Sequence, residues 1–135
     1  MRHPESVSPD ELHDWFSEYL DACNRHELTE VRALLAPDVR RAHRSGGADA
    51  WIADLASLFT AFPDFQWKRI TVVAEGERVA VHLRASGTHR GEYRGIAPTG
   101  RHVNVAEFGI YRVVGGRIAD YVGTAEGAEL LGQLG

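Results

Sequence analysis

The feature that most constrains this chain is a change of hydrophobic period at "AFPDF", residues 61–65. Before it, apolar side chains recur at helical spacing. After it, they alternate at a period of two, which puts successive side chains on opposite faces of a strand. A chain that writes helices first and long strands afterwards points to an α+β layout, with helices on one face of an antiparallel sheet.

The helical part opens on "SPDE", with Ser8 as cap, Pro9 at the first helical position and Glu11 closing a capping box. Leu12, Trp15, Phe16, Tyr19, Leu20 and Cys23 follow on one stripe, so a helix is expected to about residue 25. A short second helix starts near Thr29. "APDVRRAHR" then reads as a turn and a short strand with Val39, Arg41 and His43 on one face. The next helix spans about 48–61, with Trp51, Ile52, Leu55, Leu58 and Phe59 in its stripe. Strands are predicted at 65–74, 78–87, 102–114 and 117–123, and a last short helix from Thr124. The 135 residues, 44% of them hydrophobic, suffice for a single domain with its own core. Residues 1–7 are expected to fray.

Several function classes are excluded at this level. A net charge of −4 argues against general nucleic-acid binding. No apolar run approaches the roughly 20 residues of a membrane span, and "MRHPESVSPDE" lacks the apolar centre of a signal peptide. The lone Cys23 rules out an internal disulfide and fits a reducing cytoplasm. The seven histidines show neither HxH nor HxxxH spacing, so no metal site is expected. "GTHRGEYRGIAPTGR", Gly87 to Arg101, is glycine-rich, yet it joins two strands and matches neither nucleotide-binding glycine pattern. It reads either as a plain hairpin connection or as the rim of a site, with His89 structural or on a pocket lip.

The last hairpin, "NVAEFGIYRVVGGRIADYVGTAE", carries the chemistry. If its turn centres on Gly115, Ala119 faces Tyr111, Tyr121 faces Gly109, and Gly123 faces Glu107, all on one face. Small residues beside polar ones would leave ligand space there. Glu107 is then a general acid or base, its pKa raised by apolar surroundings. The bland reading turns it outward as a solvated carboxylate. Tyr121 either donates a hydrogen bond to a substrate oxygen or is an aromatic cross-strand pair. Trp15, Trp51 and Phe59 are pocket walls or simply core.

"FPDFQWKRITVVAEGERVAVHLRASGTHRGEYRGIAPTGRHVNV", "YRVVGGRIADY" and "ELLGQLG" together resemble the SnoaL-like polyketide cyclases of the NTF2-like superfamily. The resemblance covers essentially the whole chain. It implies a cone, in which a strongly curved sheet wraps the N-terminal helices and leaves a deep apolar pocket. It implies a homodimer through the sheet, a small-molecule substrate and no cofactor. It also implies a range of activities: aldol cyclisation, isomerisation, epoxide opening, dehydration and cofactor-free oxygenation, with some members only binding ligands. By this resemblance His43 stands where members place a base, and Tyr19 where isomerase relatives place an oxyanion-binding tyrosine. Glu126 stands at an acidic position before the final "LL" helix, where it also answers the helix dipole. The chain departs from the family at Gly109 and Gly123, where many members carry acidic or histidine residues. The usual His/Asp pair of the aldol cyclases is therefore not evident. The expectation is a cofactor-free acid–base enzyme on a small apolar or polycyclic metabolite in natural-product biosynthesis; the alternatives are a non-catalytic binding protein and a cofactor-free oxygenase.

Overall fold

The protein is described by a computed structural model covering residues 7–124 and 128–135. The elements run in chain order as α1 (Pro9–Asn24), α2 (Leu28–Ala33), β1 (Leu35–Arg41), α3 (Gly47–Ala61), β2 (Gln66–Glu75), β3 (Arg78–Thr88), β4 (His102–Val114), β5 (Arg117–Gly123) and α4 (Ala128–Leu134). The expected start of the last helix at Thr124 runs into residues outside this description.

Helix α1 begins as its sequence dictates. The Ser8 hydroxyl accepts from the Glu11 amide at 3.1 Å, and the Glu11 carboxylate accepts from the Ser8 amide at 3.4 Å. Leu12, Phe16, Tyr19, Leu20 and Cys23 are buried along its inner stripe. α1 packs on β2 and β3, α3 on β1, and α4 on β4, so the helices cover one face of a curved sheet.

The sheet order is β1-β5-β4-β3-β2. β2 to β5 form an antiparallel meander, as the two-residue alternation predicts. β1 instead pairs parallel with β5, so the sheet is mixed and not wholly antiparallel. This pairing is possible because α3 and three strands separate β1 from β5 in sequence, enough chain for a crossover.

The register of the last hairpin differs from the expected one. Gly115 and Gly116 both take positive φ, 59° and 77°, and form a two-residue turn between Val114 and Arg117. A shift near Ala119 then adds one residue to β5, and Tyr111 pairs with Tyr121 and Gly109 with Gly123. The turn and the bulge each displace the pairing by one position. Their sum is even, so Glu107, Gly109, Tyr111, Tyr121 and Gly123 still share one face.

Two apolar clusters lie under the helices. One gathers Phe16, Tyr19, Trp51, Leu83, Tyr111 and Tyr121. The other gathers Phe62, Phe65, Tyr93, Val105 and Leu130. Leu55 and Leu58 of α3 stay only half-buried although they lie on its inner stripe, because they face a cavity and not a packed core.

Candidate functional site

A cavity of about 530 Å³ opens where the two clusters meet, a volume that suits a small organic ligand. Its floor comes from Tyr19 and Cys23 of α1, Tyr111 of β4 and Tyr121 of β5. Trp51 and Leu55 of α3 face Trp67 and Leu83 of the sheet across it. Its rim carries the ionic side chains Arg41, Arg44, Asp54, Arg94 and Glu129, with His43 beside them. The expected deep apolar pocket is thus apolar and tyrosine-rich inside and ionic at its mouth.

Glu107 lies in this wall. Strand alternation turns it inward between Val105 and Gly109, opposite Leu83 of β3. Burial raises its carboxyl from 4.5 to about 7, and the Trp67 indole N–H, donating at 3.1 Å to Oε2, pulls the other way. An apolar wall disfavours the carboxylate, while one donor supports it. The result is a carboxyl divided between its two protonation states near neutral pH.

Burial shifts Tyr19 and Tyr111 in the same direction, which for a phenol means staying protonated. Burial pushes the Tyr19 phenol well above 10.0, helped by Cys23 and Tyr111 beside it. Burial does the same to Tyr111, with Tyr121 and Glu107 adding to it. Both therefore keep their protons at neutral pH and remain hydrogen-bond donors. Tyr19 stacks flat on Trp15 at 5.6 Å and tilts against Tyr111 at 5.7 Å, so its ring is fixed from both sides. Burial pushes the Cys23 thiol up to about 12, and a hydrogen bond with Tyr19 only partly opposes this. Cys23 is a thiol there, not a nucleophilic thiolate.

Tyr121 resolves what Gly109 and Gly123 are for. A Cβ built on Gly109 would lie 2.5 Å from Tyr121 Cε1 and 2.7 Å from its hydroxyl oxygen. One built on Gly123 would collide with the same hydroxyl and with the Phe108 carbonyl. The space expected for ligand beside these glycines is filled by the Tyr121 ring. The ring lies across the two glycines, wedged against Tyr111 at 4.7 Å and Trp51 at 5.8 Å.

Glu107, Tyr19, Tyr111, Tyr121, Trp51 and His43 therefore share one cavity. His43 stands at the exposed rim, in the turn just after β1. Of the two readings of Trp15 and Phe59, pocket wall or core, their place is the core: neither is part of the cavity lining. The Trp15 indole donates to the Gly116 carbonyl at 2.8 Å and ties α1 to the β4–β5 turn. Phe59 stacks on His26 at 3.7 Å and meets Trp67 edge-on at 6.0 Å, supporting the wall from behind. Glu126 lies outside the described residues.

The stretch from Gly87 to Arg101 forms part of the rim. His89 is fully buried, and its Nδ1 accepts from the Thr99 amide at 3.1 Å. The amides of Arg90 and Gly91 both donate to the Ala61 carbonyl at the end of α3. Gly91 is required there, since a Cβ would lie 2.5 Å from the Thr60 carbonyl oxygen. Pinned this way, the stretch presents Tyr93 and Arg94 to the cavity, with the Arg94 guanidinium 5.3 Å over the Tyr93 ring.

Sequence reasoning missed Trp67 as the partner of Glu107 and Arg41 with Asp54 at the rim. The alternation that puts Val39 and Arg41 on one inward face was a usable signal for Arg41. Trp67 carried no comparable signal, because its pairing with Glu107 spans two strands.

A curved sheet closed by helices over a tyrosine-lined cavity defines a cone-shaped pocket. The chain belongs to the SnoaL-like polyketide cyclase family, whose model matches residues 13–134. Among solved structures it is similar to AclR of Streptomyces galilaeus, a candidate hydroxylase, at 26% identity and TM-score 0.83, covering 94% of this chain and 82% of that one. It is similar to IdmH of Streptomyces antibioticus, a candidate polyketide cyclase, at 26% identity and TM-score 0.76, covering 90% and 96%. A SnoaL-like polyketide cyclase of Agrobacterium tumefaciens shares the fold at 22% identity and TM-score 0.77, covering 92% and 98%. A comparison with curated protein sequences finds no match. No helix among the described residues is long and apolar enough to cross a membrane.

Proposed function

We propose that the protein is an acid–base enzyme that moves a proton on a small, largely apolar carbonyl metabolite, using its own side chains and no cofactor. The observation that carries this is Glu107: a carboxyl in the wall of a ligand-sized cavity, held near neutrality by burial. A base of that kind operates close to ambient pH, where it takes and returns a proton with little bias.

The mechanism follows from the lining. The Glu107 carboxylate takes a proton from carbon next to a substrate carbonyl. The electron pair moves onto the carbonyl oxygen, and Tyr19 or Tyr121 donates a hydrogen bond to the developing enolate. In cyclisation the enolate carbon forms a bond to a second carbonyl carbon, whose oxygen takes the proton back. In isomerisation the proton returns to a different carbon. Trp51 and Trp67 hold the ring faces of the substrate, and His43 at the mouth assists proton exchange with water. The similarity to IdmH favours cyclisation within a polyketide pathway. The likeness to AclR supports one second reading, in which the same enolate meets dioxygen.

A homodimer belongs to the same proposal. Val73, Phe108, Ile110 and Val122 are 42–57% exposed on the sheet face turned away from the helices, and a second copy laid on that face would cover them. A cytoplasmic setting is part of this reading, because Cys23 is a buried free thiol with no disulfide partner.

The test is solvent proton exchange in deuterium oxide. A panel of aromatic 1,3-diketones is incubated with the protein, and deuterium uptake at the acidic carbon is followed by mass spectrometry. Uptake catalysed by the wild type and lost in Glu107→Gln supports the proposal. No catalysed uptake, or equal uptake by the variant, rejects it. Oxygen consumption in the same reactions separates oxygenation from cyclisation or isomerisation.

A further inference from the structure

Arg41 is the strongest unexplained group on the cavity wall. It ends β1 on the inward face, and its side chain is only 12% exposed. Its neighbour Arg44 is 51% exposed at the side chain. The two guanidiniums share one carboxylate, and they share it unequally. Arg44 holds both oxygens of Asp54 through Nε and Nη2, each at 3.2 Å. Arg41 pairs with Oδ2, its Nη1 at 2.9 Å. Its guanidinium carbon stands 5.2 Å over the Trp51 ring. The second terminal nitrogen, Nη2, is buried and has no hydrogen-bond partner.

Packing does not account for this arrangement. The Trp51 face needs a cation but no particular N–H, and one Asp54 oxygen satisfies one edge of the fork. A buried guanidinium N–H without an acceptor is costly, and natural structures keep such groups where something else supplies the acceptor. The surrounding charge points the same way. Among the described residues, three guanidiniums, Arg41, Arg44 and Arg94, stand around the mouth against the two carboxylates Asp54 and Glu129. Glu107 lies deeper, and His43 and the Tyr93 phenol are further titratable groups along the described lining. An anionic oxygen therefore meets attraction at the rim, in a chain whose net charge is −4.

We propose that Arg41 recognises an anionic oxygen of the ligand, so that this cavity selects carboxylate-bearing or enolate-bearing ring compounds over their neutral counterparts. The substrate class narrows from an apolar carbonyl metabolite to an acidic one. Its anion is held at Arg41 beside Trp51, and its reacting carbon points toward Glu107. This rests on reading the cavity as the substrate site. It does not depend on Glu107 performing catalysis.

The test uses a matched pair, 2-naphthoate and 2-naphthamide, titrated by calorimetry at pH 8 where the acid is ionised. The wild type is expected to bind the naphthoate about tenfold or more tightly, the range of one charge-assisted hydrogen bond. Arg41→Met should remove that preference and leave naphthamide binding within about twofold. Arg41→Lys keeps the charge but not the fork, and should keep part of the preference. It also serves if the methionine variant does not fold, in which case a preference fully retained by lysine rejects the role of the fork. Equal binding of the two ligands by the wild type, failure to bind the naphthoate, or a ratio unchanged in Arg41→Met overturns the proposal. Failure here with catalysed deuterium uptake intact removes only the anion role. Arg41-dependent preference without catalysed uptake removes only the catalytic reading.

Discussion

Gly109→Ala is the substitution whose effect the structure determines most sharply. The new methyl would sit 2.5 Å from Tyr121 Cε1 and 2.7 Å from its hydroxyl oxygen, where carbon atoms ordinarily rest about 3.5–4.0 Å apart. The ring must retreat by about an ångström. Retreat disturbs its contacts with Tyr111 and Trp51, at 4.7 and 5.8 Å, or pushes the ring into the cavity that it lines. Overpacking of this kind costs about 1–3 kcal/mol. A strand glycine replaced by alanine in open space would instead gain roughly 0.5 kcal/mol from reduced backbone entropy in the unfolded chain. The sign of the effect therefore reports whether the ring is there. Urea denaturation should show Gly109→Ala destabilising the wild type by about 1–3 kcal/mol. In a Tyr121→Ala background the same change should be neutral or slightly stabilising. A cost under about 0.5 kcal/mol in the wild type, or the same cost in both backgrounds, would refute the view that Tyr121 occupies this space and restore it to the ligand.

Two further predictions concern Glu107. Its folded carboxyl is raised from 4.5 to about 7, so the folded chain keeps a proton that the unfolded chain releases. Stability from this group is present at acidic pH and is lost as pH rises between about 4.5 and 7. Glu107→Gln carries no such proton, so its melting temperature should gain on the wild type across that window. The gain should level off above it at on the order of 3 kcal/mol, roughly 10 °C for a chain of this size. A difference that stays constant from pH 5 to 9 in a thermal scan series contradicts the desolvated carboxyl. Trp67→Phe keeps the ring beside Phe65 and Phe59 but removes the N–H that supports the Glu107 anion. The midpoint of the limb where exchange rises with pH should then move to higher pH, and a midpoint that moves down or stays still counts against this hydrogen bond.

Much of this fold is legible in the sequence because its signals are local. The capping box at Ser8, the period change near Pro63 and the Gly115–Gly116 turn each depend on a few adjacent residues. The face of Glu107 is legible too, since alternation along β4 is interrupted by no bulge within that strand's pairing to β3. The parallel pairing of β1 with β5 joins residues far apart in sequence, and no local pattern encodes it. The two-residue turn and the bulge near Ala119 together altered the partners within the hairpin while preserving its faces. The role of Gly109 and Gly123 was misread for a related reason: an absent side chain signals space, but only the three-dimensional packing tells whether a ligand or Tyr121 fills it. Arg41 and Trp67 show the same limit. What matters about each is a partner, Asp54 or Glu107, contributed by another element.

The most direct test of the account is the ionisation of Glu107 itself. With glutamate labelled at its side-chain carboxyl carbon, the resonance absent from Glu107→Gln identifies the group, and its shift is followed from pH 3 to 9. The account predicts an apparent midpoint near the raised value of about 7. A midpoint at the ordinary 4.5 would mean that the carboxyl is solvated, and the proposed proton carrier would be lost.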